Sequence, residues 1–348
     1  MRKENFMLRS FLMRKITGIL LLLFYVSCNP LTLNNPCDQK SKSYMEALLL
    51  SSLSETPVAF CGFRVGNSPK LWETQAYLKA SNAEANDGFG YSVAISGDTI
   101  VVGAAGESSN QTTITNGPTA STDNTASSSG AAYVFQRTGS SWAQEAYLKA
   151  PNAESGDQFG NAVAIDGDTI VVGAFSEASN QTTITNGTMA SSDNSASIAG
   201  AAYVFQRTGS TWSHQAYLKP PNLGADDRFG NTVAIEGDTI LVGSIFEDNN
   251  QTTVTNGTNP NDDNSLSNSG AVYVFQRSGS TCAFRAYLKA PNADVEDRFG
   301  NAISISGDTA VVGVNLEDSN QNTITNGPTA SINNSSLSSG AAFVFFRK

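Results

Sequence analysis

Short apolar blocks separated by polar turns run along most of the chain, and no segment repeats at the 3.6-residue period of a helix. A representative stretch begins at residues 161–165 (NAVAI), which are β-like. Gly167-Asp168 follow as a tight-turn pair, the glycine suited to the positive φ of a two-residue hairpin loop. Residues 169–173 (TIVVG) return as the partner strand. After a long polar stretch come 201–205 (AAYVF), a turn at 208–210 (TGS) and 215–219 (QAYLK). Four strands result, A to D in chain order.

The same four strands recur. AYLK begins at Ala76, Ala146, Ala216 and Ala286, Phe-Gly at Phe89, Phe159, Phe229 and Phe299, and Gly-Asp-Thr at Gly97, Gly167, Gly237 and Gly307, always 70 residues apart. Residues 69–348 therefore divide into four units without insertion, 69–138, 139–208, 209–278 and 279–348, the signature of a repeat architecture. Strands B and C are nearly unbroken apolar runs, as in sheets covered on both faces. Strand D alternates, with Lys79, Lys149, Lys219 and Lys289 beside apolar neighbours, as in an exposed outer strand. Sheets of this kind repeated radially predict an all-β fold, a β-propeller of four four-stranded blades. The last unit supplies only A, B and C, while an orphan D strand at residues 73–80 precedes the first. The last blade is thus expected to be closed by the N-terminal strand, which would hide two sheet edges.

The motif FGNAVAIDGDTIVVGA, followed by GAAYVFQR and AYLKAPNA, resembles the bacterial FG-GAP repeat, a relative of the propeller repeats in integrin α subunits. The resemblance covers residues 71–348 and implies a propeller, usually extracellular, used for binding or adhesion. Integrin-type propellers have more blades than this chain supplies. A compact four-bladed ring and an eight-bladed ring made by a homodimer both stay open.

Ahead of the repeats, residues 1–15 carry five basic side chains against Glu4, and 16–26 (ITGILLLLFYV) are apolar. That run is too short for the ~20 residues a bilayer span needs and suits a signal peptide over 1–27. It ends in Val26-Ser27-Cys28, which resembles a bacterial lipoprotein signal and implies lipidation of Cys28, a membrane anchor and an outer-membrane or cell-surface location. An ordinary cleaved signal and secretion are the alternative. Residues 28–68 have no period and a polar start, and are expected to form a tether or a partly ordered lead-in. Cys37 and Cys61 could form a disulfide in an export compartment. Cys282 stands where other units carry Trp72, Trp142 and Trp212, and is expected to be a small apolar replacement.

Charge narrows the partners. The 348 residues include 31 acidic and 21 basic side chains, a net charge of −10 that becomes −14 without residues 1–27. This argues against nucleic acid. Nineteen of the remaining carboxylates fall in the long B–C loops and the D–A connections, which alternating strand directions place on one face. A hard cation such as Ca2+ would relieve that crowding. Glu247, Asp248 and Asn250 in unit three, and Glu317, Asp318 and Asn320 in unit four, are the candidate ligands. Solvated acidic loops are the other reading, and the calcium-binding loop of integrin propellers does not occur here.

Four-fold repetition assigns Asp87, Asp157, Asp227 and Asp297 to structure, as turn caps accepting backbone N–H bonds, with the Phe of each Phe-Gly anchored between blades. The hairpin residues Asp98, Asp168, Asp238 and Asp308 are read the same way. The single histidine, His214, aligns with Thr74, Gln144 and Phe284 and is expected at the surface. With no nucleophile elbow, phosphate loop or zinc-protease motif, no enzymatic activity is expected. The function these features suggest is an exported, surface-anchored binding or adhesion module whose loop face takes an extracellular protein or glycan. A carbohydrate-active or other hydrolytic propeller, using paired carboxylates, and a structural envelope protein are the alternatives.

Overall fold

A computed structural model describes residues 72–348 and, before them, the strands Val58–Phe60 (β1) and Phe63–Val65 (β2). The signal segment, Cys28, Cys37 and Cys61 lie outside the described residues. The chain divides into two units, Met1–Thr74 and Gln75–Lys348. In the first, β1 and β2 pair antiparallel inside the stretch read as a tether or partly ordered lead-in.

The second unit is all-β and holds the four repeats as four successive sheets, repeats 1 to 4, in which the D strand of each of the first three comes from the start of the next 70-residue unit. Repeat 1 comprises β3 (Ser92–Ser96), β4 (Thr99–Ala104), β5 (Thr115–Asn116), β6 (Ala131–Thr138) and β7 (Ser141–Leu148). Repeat 2 comprises β8 (Ala162–Asp166), β9 (Thr169–Ala174), β10 (Thr185–Asn186), β11 (Ala201–Thr208) and β12 (Thr211–Leu218). Repeat 3 comprises β13 (Phe229–Glu236), β14 (Thr239–Ser244), β15 (Thr255–Asn256), β16 (Ala271–Ser278) and β17 (Thr281–Leu288). Repeat 4 has β18 (Ala302–Ser306), β19 (Thr309–Val314) and β20 (Ala341–Phe346). The A, B, C and D strands pair as antiparallel neighbours in chain order, as expected. Each of the first three sheets nevertheless has five strands, not four. The addition is a Thr-Asn pair inside the long B–C loop, which bonds to the outer edge of D: Thr115 opposite Tyr147 and Asn116 opposite Ala146 in repeat 1.

The hairpin glycines behave as their sequence context requires. Gly97, Gly167, Gly237 and Gly307 all adopt φ of 54–56°, while the Asp that follows each stays at negative φ, as in a type II′ turn. Strands β9 and β14 are buried along their whole length because both faces are covered.

Neighbouring sheets pack through their A strands, β3 on β8, β8 on β13 and β13 on β18. Val101, Val134 and Leu148 of repeat 1 meet Phe159, Val163 and Tyr203 of repeat 2 in one core cluster, and each fully buried side chain contributes about 1.5–3 kcal/mol. Phe159 is the expected anchor, its N–H bonded to Ser129 O of the preceding repeat. Backbones touch at these junctions: a Cβ on Gly103 would sit 2.0 Å from Gly160 O, and one on Gly173 would sit 2.0 Å from Gly230 O.

Among the described residues the expected closure of the ring is not found. Repeat 4 is a three-stranded sheet, and residues 73–80 form no strand. Gln75 instead accepts a bond from Trp142 Nε1 at 3.1 Å, and Leu78 and Ala80 pack with Val102 and Tyr133, which holds the segment on the front of repeat 1. Both outer faces are open to solvent. Val93 and Ile95 are 67% and 64% exposed where Val163 and Ile165 are 8%, and Val344 is 69% exposed where Val134 and Val204 are fully buried. The repeats form an open row.

Candidate functional site

The B–C loops and D–A connections do share a face. Asn82 donates to Ser121 O at 2.6 Å, and Asn152 to Ser191 O and Asn292 to Ser331 O at 2.7 Å, tying each connection to the following loop. The charge on that face differs from expectation, because eight of its nineteen carboxylates are buried: Asp87, Glu107, Asp157, Glu177, Asp227, Glu247, Asp297 and Glu317.

The D-strand lysines account for three of these. Lys149, Lys219 and Lys289, expected on an exposed edge, are each 1% exposed and reach Glu107, Glu177 and Glu247 at 3.0, 2.9 and 2.8 Å. Lys149 also donates to Ser109 O and Gly130 O at 2.8 and 2.7 Å. Tyr147 and Asn82 complete the shell of Glu107 at 2.8 and 3.2 Å, and Tyr133 donates to Asn82 Oδ1 at 2.6 Å. Burial pulls each of these lysines below the ordinary ammonium value, and the adjacent glutamate pushes back. A charge sealed this way must be paired and fully hydrogen-bonded to be tolerated.

The candidate metal ligands are not assembled into a centre. Glu247 is buried and taken by Lys289, Asp248 accepts from Asn268 N at 2.7 Å, and Asn250 donates to Ser265 Oγ at 3.2 Å. Glu317 accepts from Asn292 at 2.8 Å, Asp318 accepts from Ser338 N at 2.5 Å, and Asn320 is exposed. No cluster of three carboxylate, histidine or cysteine side chains suited to a cation occurs among the described residues.

The repeated aspartates do cap turns. Asp87, Asp157, Asp227 and Asp297 accept from the backbone N–H three residues earlier at 2.7–2.8 Å. Desolvation outweighs those bonds and raises all four, Asp157 and Asp297 to about 7 and Asp227 to about 8. On the opposite face, Asp168, Asp238 and Asp308 pair with Arg207, Arg277 and Arg347 at 2.7, 3.0 and 2.7 Å, and Asp98 pairs with Arg137. A cavity of about 360 Å³ opens there, lined by Asp166, Asp168, Asp238 and Arg277 among others. Its carboxylates are engaged, Asp166 with Gly237 N at 2.6 Å, Asp168 with Arg207 and Asp238 with Arg277.

His214 departs from its expected surface place. It is 8% exposed, lies 5.5 Å from Phe205 and 5.9 Å from Tyr203, and neither ring nitrogen has a partner. Burial lowers its pKa to about 4. Cys282 is buried, and burial pushes its thiol up to about 11, which makes it unreactive.

One feature of the loop face breaks the repetition. The guanidinium groups of Arg228 and Arg298 both lie over the ring of Phe246, 4.3 and 4.8 Å from its centre, and Arg228 also lies 5.6 Å from the centre of the Phe175 ring. The equivalent positions hold Gly106, Ser176 and Leu316 for the ring and Gly88 and Gln158 for the cations. All three side chains are partly exposed, and both Nε atoms lack a partner. Periodicity cannot find such a site; the arginines were visible only as the two cations in otherwise acidic connections.

Four successive antiparallel sheets with A strands side by side define a β-propeller-like repeat module. Residues 72–135, 142–205, 212–275 and 283–345 each match the FG-GAP repeat, and the chain belongs to the FG-GAP repeat family. None of the curated proteins compared with it matches.

Proposed function

We propose that this chain is an exported binding module that uses its loop face to take an extracellular protein or glycan, with Arg228, Phe246 and Arg298 as the anchor. The observation that carries this is the Arg-Phe-Arg stack. It is partly exposed, rich in the residue types that dominate binding energy, and found only where the repeats diverge. FG-GAP repeats form modules often involved in binding. Export and a lipid anchor at Cys28 rest on the signal-like sequence of residues 1–28. Catalysis is disfavoured because the carboxylates with raised pKa values are sealed and repeated.

The test is binding of the full chain to a glycan array, to immobilised extracellular proteins and to intact cells. The comparison is with Arg228→Gln/Arg298→Gln, which copies Gln158 of repeat 2. Wild type binds a subset of these probes, and the variant binds them about tenfold more weakly or worse. Equal binding by both, or no binding by wild type, refutes the reading.

A further inference from the structure

The buried Lys–Glu junction occurs three times, and its two halves occur once more at opposite ends of the row. Glu317 is only 4% exposed and accepts from Asn292, yet no lysine or tyrosine reaches it among the described residues. Lys79 and Tyr77, which by the 70-residue spacing correspond to Lys149 and Tyr147, are exposed. Their segment is already in place. Trp142 Nε1 donates to Gln75 as Trp212 Nε1 donates to Glu145, at 3.1 and 2.9 Å. Residues 75–80 thus lie on the front of repeat 1 as β7 lies on the front of repeat 2, without the sheet to which such a strand belongs. Strand β20 has the complementary deficit: one edge pairs with β19, and no strand among the described residues pairs with the other.

We propose that copies of this chain join head to tail, residues 73–80 of one copy adding to the free edge of β20 in another as its missing fourth strand. The internal register places Ala76, Tyr77 and Leu78 of the incoming copy opposite Val344, Phe343 and Ala342, as Ala146, Tyr147 and Leu148 lie opposite Val134, Tyr133 and Ala132. Lys79 then meets Glu317 and completes the fourth ion pair. The exposed Val311 and Val344 cover Val93 and Ile95 of the incoming copy, repeating the interface built three times within the chain. Asn256 gains a partner as well. Asn116 and Asn186 exchange bonds with the backbone of Trp212 and Cys282, and the equivalent residue for Asn256 is Trp72 of the incoming copy.

The partner is a second copy and not the chain's own N-terminal segment, because both end faces of one chain stand exposed together. Each copy carries both halves, so the contact is heterologous and propagates until a ring shuts.

Two measurements on the full chain test this. Light scattering of wild type reads an integer multiple of the chain mass, at least two. Gly313→Ala returns a single-chain mass with an unchanged circular dichroism spectrum. In one chain a Cβ at 313 meets nothing closer than Ala302 at 3.4 Å, whereas at the junction it strikes Gly90 O of the incoming copy as Gly103 would strike Gly160 O. Mixing size-tagged Ala76→Cys and Val344→Cys chains under mild oxidation gives a disulfide heterodimer whose linked peptide carries residues 76 and 344. A single-chain mass for wild type across the accessible concentration range overturns the proposal. So does a chain bearing both cysteines that links only within itself, or a Gly313→Ala protein that associates like wild type.

Discussion

Lys219→Met is the substitution whose cost the structure fixes most tightly. The Lys219 side chain is fully buried, with Nζ 2.9 Å from Glu177 and 2.7 Å from Gly200 O. Methionine fills nearly the same volume but removes the positive charge. Glu177 keeps Asn152, Tyr217 and Ser179 N as donors at 3.0, 2.8 and 3.2 Å, and Gly200 O is orphaned. Removing one member of a buried pair costs about 3–5 kcal/mol, mostly through the uncompensated charge left behind. At an m-value of about 3 kcal/mol/M, the urea midpoint of the full chain falls by about 1–2 M. Lys219→Met/Glu177→Gln, which removes both charges, recovers most of that loss. The internal control is Lys79→Met: this lysine is exposed in the single chain, so below the association concentration it changes stability by less than about 0.5 kcal/mol. A loss under about 1 kcal/mol for Lys219→Met, or equal losses at positions 79 and 219, would refute the reasoning.

Three further outcomes follow from the same geometry. His214 has its pKa lowered to about 4 by burial, so the unfolded chain binds the proton first and stability falls as pH drops from about 6.5 to 4, by about 3 kcal/mol. His214→Phe, which copies Phe284 of repeat 3, should abolish that loss in acid denaturation curves. Asp227 has the opposite sign: its raised value of about 8 means the folded state holds the proton longer, so stability declines as pH rises from about 4 to 8, with a slope approaching 1.4 kcal/mol per pH unit. Asp227→Asn keeps an acceptor for Gly224 N and should flatten that slope between pH 7 and 8, where His214 no longer titrates. Because Lys289 holds Glu247, Asn292 donates to Glu317, and backbone N–H groups hold Asp248 and Asp318, Ca2+ and EDTA should give the same melting temperature, and a rise of several degrees with Ca2+ would show a cation site.

Much of the fold was legible because the 70-residue period is strict and each strand announces itself by apolar content and a Gly-Asp turn. The fifth strand was not legible: Thr115-Asn116 carries no apolar signal, and its pairing is set by where the long loop lies against Tyr147. The lysines were misread because alternation in strand D looks the same whether the polar residue faces water or a buried carboxylate. A signal existed, since each buried pair lies 42 residues apart in sequence, 107 to 149, 177 to 219 and 247 to 289. On the same count the position 42 residues before Lys79 holds Cys37, not a glutamate. His214 was placed outside because its equivalents are polar in two units, whereas its neighbours Tyr203 and Phe205 enclose it. Closure of the ring depends on the angle between successive sheets, which a repeat sequence does not encode.

The repeats stand as an open row with three sealed Lys–Glu junctions and one unmet half at each end. Lysine acetylation read by mass spectrometry tests it in one experiment on dilute protein. Lys149, Lys219 and Lys289 should resist modification until the chain unfolds, while Lys79 reacts at the rate of a free lysine and becomes protected as concentration rises. Rapid labelling of any of the three interior lysines, or a Lys79 protected in the single chain, would contradict the account.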